Sequence, residues 1–177
     1  MIAHISINGG NLDPFLDKTV EDICPLGFGK IGDSHNHCAH FISHMLKLNS
    51  SLHIGYTCAG MVNLGSKHPA AGACIRVNEV FNACDGLEAP DENGCLVYYT
   101  LPDNIHKDGT MGDMSQKHVG IYCGGMVWNY GNIHDKVRKN RVTDLKDLYG
   151  STTIVRYTGF PTGATVLTLD QIKELAK

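Results

Sequence analysis

The strongest constraint on the fold is a pair of strand-like segments, residues 117–123 and 126–130, joined only by Gly124-Gly125. Both segments are rich in branched and aromatic side chains. A Gly-Gly pair between two such segments indicates a two-residue hairpin turn, because glycine takes the positive φ values that the turn needs. The sequence therefore predicts an antiparallel hairpin in the second half of the chain.

Helical patterns come earlier in the chain than the strand patterns. Residues 12–24 and 36–46 carry apolar side chains at the spacing of an amphipathic helix, and residues 71–84 repeat that spacing. Helices followed by antiparallel strands are typical of the α+β class. We predict a single domain over residues 1–177, with N-terminal helices packed on an antiparallel sheet, since this length is in the range of one domain.

The predicted helix over residues 36–46 carries a cysteine in its first turn. Cys38 is followed on the same helix face by Phe41, Ile42 and Met45. Unpaired backbone N–H groups and the positive end of the helix dipole stabilise an anion there. We therefore expect the pKa of Cys38 to be lowered towards a nucleophilic thiolate. The alternative is a small buried cysteine without reactivity.

The predicted hairpin supplies a candidate base for that thiol. Side-chain alternation and a two-residue turn place His118 and Asn129 on one face of the sheet as diagonal neighbours. Gly120, opposite Asn129, leaves room for the two side chains to meet. The amide would hold one ring nitrogen of His118 so that the other meets a thiol. A change of one residue in the length of the turn would move Asn129 to the opposite face, and the candidates for the third residue would then be Asn132, His134 and Asp135.

Composition excludes several classes of function. The chain has a net charge of −3, with 42% hydrophobic and 19% charged residues, so it lacks the basic surface of a nucleic-acid-binding protein. No apolar segment reaches the length of a membrane span. Residues 1–6 lack the basic region and long apolar run of a secretory signal, which predicts synthesis in the cytoplasm.

Cysteine usage points to a reducing compartment. The odd number of cysteines argues against a fully paired disulfide framework, and no two of them form the CxxC pair of a zinc knuckle. We therefore assign no metal ligand and no cofactor to the candidate site. The seven cysteines lie at positions 24, 38, 58, 74, 84, 95 and 123.

A cysteine at a helix start, followed some eighty residues later by His-Val-Gly-Ile-Tyr-x-Gly and a hairpin with a third polar residue, resembles the NlpC-type cell-wall peptidases. These belong to the papain-like cysteine peptidases and amidases. The resemblance covers residues 33–46 and 117–132. The chain departs from the family in having His37 before the cysteine, where aspartate is usual, and asparagine at the third position, where histidine is frequent.

The resemblance implies a papain-like fold and hydrolysis of amide bonds in peptidoglycan stem peptides. Cys38 would be the nucleophile, His118 the general base and acid, and Asn129 the residue that orients the imidazole. The backbone N–H of Cys38 would help to bind the oxyanion. We expect further side chains near these three to contact the substrate, namely His37, Tyr122 and Trp128.

Small amidases of this kind without signal peptides are also known as antibacterial toxins delivered by type VI secretion. The chain is similar to that subgroup in size and in lacking wall-binding repeats. This similarity implies action in the periplasm or cell wall after specialised secretion, and an immunity protein as the partner that blocks the cleft.

Two other hypotheses compete with a cysteine amidase. The first is a metal-binding protein, because His37, His40 and His44 fall on one helical face and form a plausible ligand set. The second is a binding module that kept the fold and lost catalysis. The histidines of the first hypothesis are His35, His37, His40 and His44.

Overall fold

The structure, a computed structural model, describes residues 5–28, 37–47, 57–61 and 73–175 of the chain. Within these residues the α-helices are α1 Gly9–Leu12, α2 Val20–Ile23, α3 Cys38–Met45, α4 Cys58–Met61, α5 Val77–Asn82, α6 Val142–Tyr149 and α7 Leu169–Glu174. The strands are β1 Gly86–Leu87, β2 Cys95–Thr100, β3 Lys117–Cys123, β4 Met126–Gly131, β5 Lys136–Arg141 and β6 Ile154–Thr158. None of the described helices is long and apolar enough to cross a membrane.

The strands form one six-stranded antiparallel sheet in the order β1-β6-β2-β3-β4-β5. In the hairpin of β3 and β4, Cys123 pairs with Met126. Gly124 and Gly125 between them have φ values of 56° and 82°, a left-handed conformation that costs glycine nothing sterically. The predicted hairpin and its register are confirmed.

The helices and the sheet enclose two apolar cores. On one face of the sheet, α3 packs across β3 and β4, and its Phe41 is fully buried in the main core with Ile121 of β3. On the other face, Leu145 of α6 covers a smaller core that contains Tyr99 and Val127. The predicted α+β class, with N-terminal helices on an antiparallel sheet, is confirmed.

The first predicted helix, over residues 12–24, is wrong in its extent. A 3₁₀ turn at Asp13–Phe15 follows α1, and Asp17 takes a φ of 62° that ends the turn. Thr19 then starts α2 through a reciprocal capping box with Asp22. Cys24 follows α2 in an extended conformation, at the point where α2 packs against α3.

Candidate active site

Cys38 is the first residue of α3, and the start of this helix is tied to the turn after β4. The N-cap residue is His37, whose backbone N–H donates to Oδ1 of Asn132 at 3.4 Å. Every residue of α3 is buried. The position of Cys38 is therefore set by packing on both sides of the helix and by this link to the hairpin region.

The thiol of Cys38 lies against the backbone of β3. Burial raises its pKa to about 11, although hydrogen bonds from the backbone of Val119, Ala39 and Cys38 itself act in the opposite direction. The expectation of a lowered pKa is therefore wrong for this structure. The helix start does favour the thiolate, but the side chain has no exposure to water, and loss of hydration outweighs the backbone dipoles.

His118 is held at one ring nitrogen and unpartnered at the other. Nε2 lies 2.9 Å from Oδ1 of Asn129. The amide of Asn129 is oriented by its own contacts, since Nδ2 donates to Oδ1 of Asn140 at 3.1 Å and to the carbonyl of Arg138 at 3.4 Å. Its oxygen must then accept from the imidazole, which places the ring proton on Nε2 and leaves a lone pair on Nδ1.

Gly120 makes this contact sterically feasible. A Cβ at Gly120 would lie 2.4 Å from Cγ1 of Val127, 3.1 Å from the carbonyl oxygen of Trp128 and 3.2 Å from Cβ of Asn129. The pairing of β3 with β4 extends from the turn only as far as Ile121. The strand that carries Asn129 can approach His118 only because position 120 has no side chain, as the sequence predicts.

Cys38 reaches β3 at the residue next to His118. The thiol is hydrogen-bonded to the backbone of Val119, the residue that follows His118. Tyr149 of α6 lies beside both, with its ring centroid 4.9 Å from that of His118, and burial followed by the charge of Cys38 raises its pKa. Within the described residues Nδ1 of His118 has no hydrogen-bond partner, so it does not bond to the thiol of Cys38.

His118 should remain neutral in acid well below the range of an ordinary histidine. Burial lowers its pKa from 6.5 to about 4, against the smaller opposing effect of the bond to Asn129. Because the folded pKa is depressed, its contribution to stability is complete above about pH 6.5 and is lost as the pH falls towards 4. Nitrogen-15 NMR of the ring, assigned with a His118→Gln variant, should show the Nε2–H tautomer at pH 5.5. A charged ring or an Nδ1–H tautomer at that pH would contradict the arrangement.

A cavity of about 330 Å³ lies beside the contact between His118 and Asn129. Its wall includes Asn129 and Tyr149, the residues that contact the His118 ring. Arg138 adds a cation, and exposed Leu148 lies at its edge. The other lining residues are Gly131, Asn132, Ile133, His134, Asn140 and Leu145. This volume is in the range of small-ligand pockets.

The three predicted substrate-binding residues are not brought to this cavity. His37 is buried edge-on against the ring of Tyr130. The hydroxyl of Tyr122 donates to a carboxylate oxygen of Glu92. These side chains, together with Trp128, have at most 4% exposure, because they point into the two cores rather than towards the opening.

Trp128 lies on the face of the sheet that carries α3, where its Nε1 donates to Oδ1 of Asp13 at 3.0 Å. The cavity lies on the other face and takes its side chains from β5 and α6. Arg138 pairs directly with Asn129 across β4 and β5. Counting residues outwards from the turn after β4 could therefore have identified Arg138 from the sequence. Nothing local in the sequence indicates that Tyr149 covers the site.

The alternative third residues have other partners. Oδ1 of Asn132 accepts from the backbone of His37, and Oδ1 of Asp135 accepts from the hydroxyl of Tyr130 at 2.7 Å. His134 lines the cavity. Because the turn has two residues, Asn129 is the side chain that contacts the imidazole of His118.

A second group of side chains that could bind a ligand shares no residue with this site and takes two of its members from α3. It is not the histidine set expected from the sequence, because two cysteines join only two of those histidines, and His35 lies outside the described residues. We refer to this group as the Cys₂His₂ cluster; it consists of Cys24, His40, His44 and Cys58.

Comparison with models of known protein families, with curated proteins and with solved structures finds no match to this chain.

Proposed function

We propose that the protein is a papain-like cysteine amidase of the NlpC type that hydrolyses amide bonds in peptidoglycan stem peptides. Cys38 is the nucleophile, His118 the general base and acid, and Asn129 the residue that orients the imidazole. The proposal combines the resemblance of the sequence with the arrangement of these side chains.

The observation that carries the proposal is the state of the His118 ring. A buried polar atom without a partner costs stability, and such atoms are concentrated at functional sites. Here the unpartnered atom is Nδ1, the one nitrogen that the amide of Asn129 leaves basic. The Cys38 thiol is hydrogen-bonded to the backbone of Val119, so the candidate nucleophile reaches β3 at the residue next to the one that carries the candidate base.

The chemistry follows from these positions. As the sulfur of Cys38 attacks the carbonyl carbon, Nδ1 of His118 takes the thiol proton. Nε2 keeps its own proton, which it continues to donate to the amide oxygen of Asn129. The backbone N–H groups at the start of α3 stabilise the oxyanion. The imidazolium then protonates the leaving amine, and a water molecule, deprotonated by Nδ1, releases the acyl group from sulfur. Both groups are neutral at rest, so this proton transfer accompanies the attack.

The cavity supports a peptide substrate that bears carboxylates. Its polar wall offers the amides of Asn129 and Asn140 together with the guanidinium of Arg138, which pairs with carboxylates in a planar fork. Its opposite wall, formed by Leu145 and Tyr149, suits the aliphatic part of a peptide. Stem peptides combine these features, and the resemblance places the scissile bond beside D-glutamate or diaminopimelate.

We also propose that the protein acts in the periplasm or cell wall as a secreted antibacterial effector with an immunity protein as its inhibitor. Two large apolar side chains at the cavity, Ile133 and Leu148, are 80% and 61% exposed. Exposed apolar side chains at the mouth of a cleft suit a partner that covers the cleft. This part of the proposal otherwise depends on the resemblance alone.

The proposal is tested by incubating the purified protein with purified peptidoglycan and determining the released fragments by mass spectrometry. We expect fragments with one new amine and one new carboxylate at a single amide bond of the stem peptide. The Cys38→Ala variant serves as the matched control. Unchanged peptidoglycan after prolonged digestion with folded protein would favour a non-catalytic binding module instead.

A further inference from the structure

The Cys₂His₂ cluster brings together four side chains that supply one ligand atom each. These two sulfur and two nitrogen atoms all lie within 4.8 Å of one another, and all four residues are buried. We propose that the Cys₂His₂ cluster binds one zinc ion as a closed structural site. This inference is independent of the proposed amidase activity, because the cluster shares no residue with the candidate catalytic group.

The distances fit a tetrahedral ion. A zinc ion with bonds of about 2.3 Å to sulfur and about 2.0–2.1 Å to nitrogen has edges of roughly 3.3–3.8 Å between its ligand atoms. Nε2 of His40 lies 3.1 Å from Nε2 of His44, and this second nitrogen lies 3.7 Å from Sγ of Cys58. These two separations differ from the tetrahedral edges by a few tenths of an ångström or less. An ion would draw the remaining pairs, all within 4.8 Å, together to the same edges.

The fold supplies the ligands from three separate segments. His40 and His44 are one turn apart on α3, so their rings lie on the same face of the helix. Cys24 follows the end of α2, and Cys58 is the first residue of α4. An ion at this point would cross-link α2, α3 and α4.

Atoms outside the cluster orient the ligands as they do around zinc sites. Nδ1 of His40 lies 3.3 Å from Nδ1 of His37, a contact that leaves Nε2 of His40 for the metal. The backbone N–H of Ala73 donates to Sγ of Cys58 at 3.2 Å, which stabilises a thiolate. The ring of Phe28 packs edge-on against His40 with centroids 5.2 Å apart and helps to exclude water.

The ligand types select the metal and its role. Thiolate and imidazole ligands in tetrahedral geometry suit zinc, whereas calcium and magnesium require oxygen ligands. Two thiolates balance the charge of Zn²⁺, so the buried site is neutral. Four protein ligands leave no open position for water or substrate, which makes the site structural rather than catalytic. His40 lies two residues after Cys38, so the ion would fix the helix that presents the candidate nucleophile.

The test uses the full chain, purified under reducing conditions without a chelator and with any affinity tag removed. We expect about one zinc per chain by mass spectrometry of the metal. Replacement by cobalt should give the strong visible bands of a tetrahedral ion and a sulfur-to-cobalt charge-transfer band. Cys58→Ser should lose the zinc and this band, whereas Cys123→Ser, at a cysteine remote from the cluster, should keep both.

The cobalt spectrum of the unmodified chain tests the site by itself, so the experiment remains decisive even if Cys58→Ser fails to fold. A chain that stays without metal after reconstitution with zinc would overturn the proposal, as would a disulfide between Cys24 and Cys58 in the reduced preparation. Cys38→Ala should keep its zinc. Zinc in a chain without amidase activity would refute only the proposed function, and activity in a metal-free chain would refute only the zinc site.

Discussion

Replacing Cys38 by alanine is expected to reduce the rate of peptidoglycan cleavage by about 10⁴-fold or more, the scale seen when a nucleophile or its base is removed. The variant keeps the folded backbone, because alanine fits the helix start and removes only a sulfur atom. Release of stem-peptide fragments, measured as initial rate by chromatography, gives the result directly. Circular dichroism and the thermal midpoint establish that the variant is folded.

His118→Gln should reduce the rate to the same extent, and the double variant should be no slower than either single variant. The two side chains act in one proton transfer. Once either of them is missing, removing the other should lower the rate no further. Asn129→Ala should have a smaller effect, because the base remains and only its orientation is lost. Cys123→Ser is the control for substitution of a cysteine outside the site.

Full activity in Cys38→Ala, or effects of Cys38→Ala and His118→Gln that simply multiply, would contradict the catalytic pair. The second outcome is the sharper one. Two residues that support the fold independently would give additive losses, whereas a nucleophile and its base would not. The comparison therefore separates a catalytic role from a structural one without reference to the absolute rate.

The part of the site that lies on one hairpin could be predicted from the sequence. Gly124-Gly125 fixes the turn, the turn fixes the register, and the register brings Asn129 to His118. Each step uses local geometry, in which a change of one residue would move a side chain to the other face. The helix that starts at Cys38 was predictable for the same reason, since its apolar spacing is a local pattern.

What the sequence could not provide depends on contacts between distant segments. The Cys₂His₂ cluster joins residues of α3 and α4 to the residue after α2, and these are separated along the chain by segments of different length. Its two cysteines do not have the spacing of a zinc knuckle. The pKa of Cys38 is set by burial of its thiol against the backbone of β3, and burial is a property of the whole fold. Tyr149, which covers His118, comes from a short amphipathic helix with no chemical signature.

Replacing Gly120 by alanine is expected to destabilise the protein by about 1–3 kcal/mol, the usual cost of forcing a methyl group into a packed core. The new Cβ would lie 2.4 Å from Cγ1 of Val127 and 3.1 Å from the backbone oxygen of Trp128. Val127 is fully buried, so β4 must move away from β3. That movement pulls Asn129 from His118, and the rate of cleavage should fall at least as far as in Asn129→Ala.

Gly86→Ala is the matched control, because Gly86 also lies in a strand and a Cβ there meets nothing within 4 Å. Chemical denaturation should show no loss of stability for this variant. Combining Gly120→Ala with Val127→Ala removes the closest clash, so the free energy of unfolding of the double variant should fall by less than the sum of the two single losses. Additive losses, or full activity in Gly120→Ala, would mean that the missing side chain at position 120 does not hold the imidazole and the amide together.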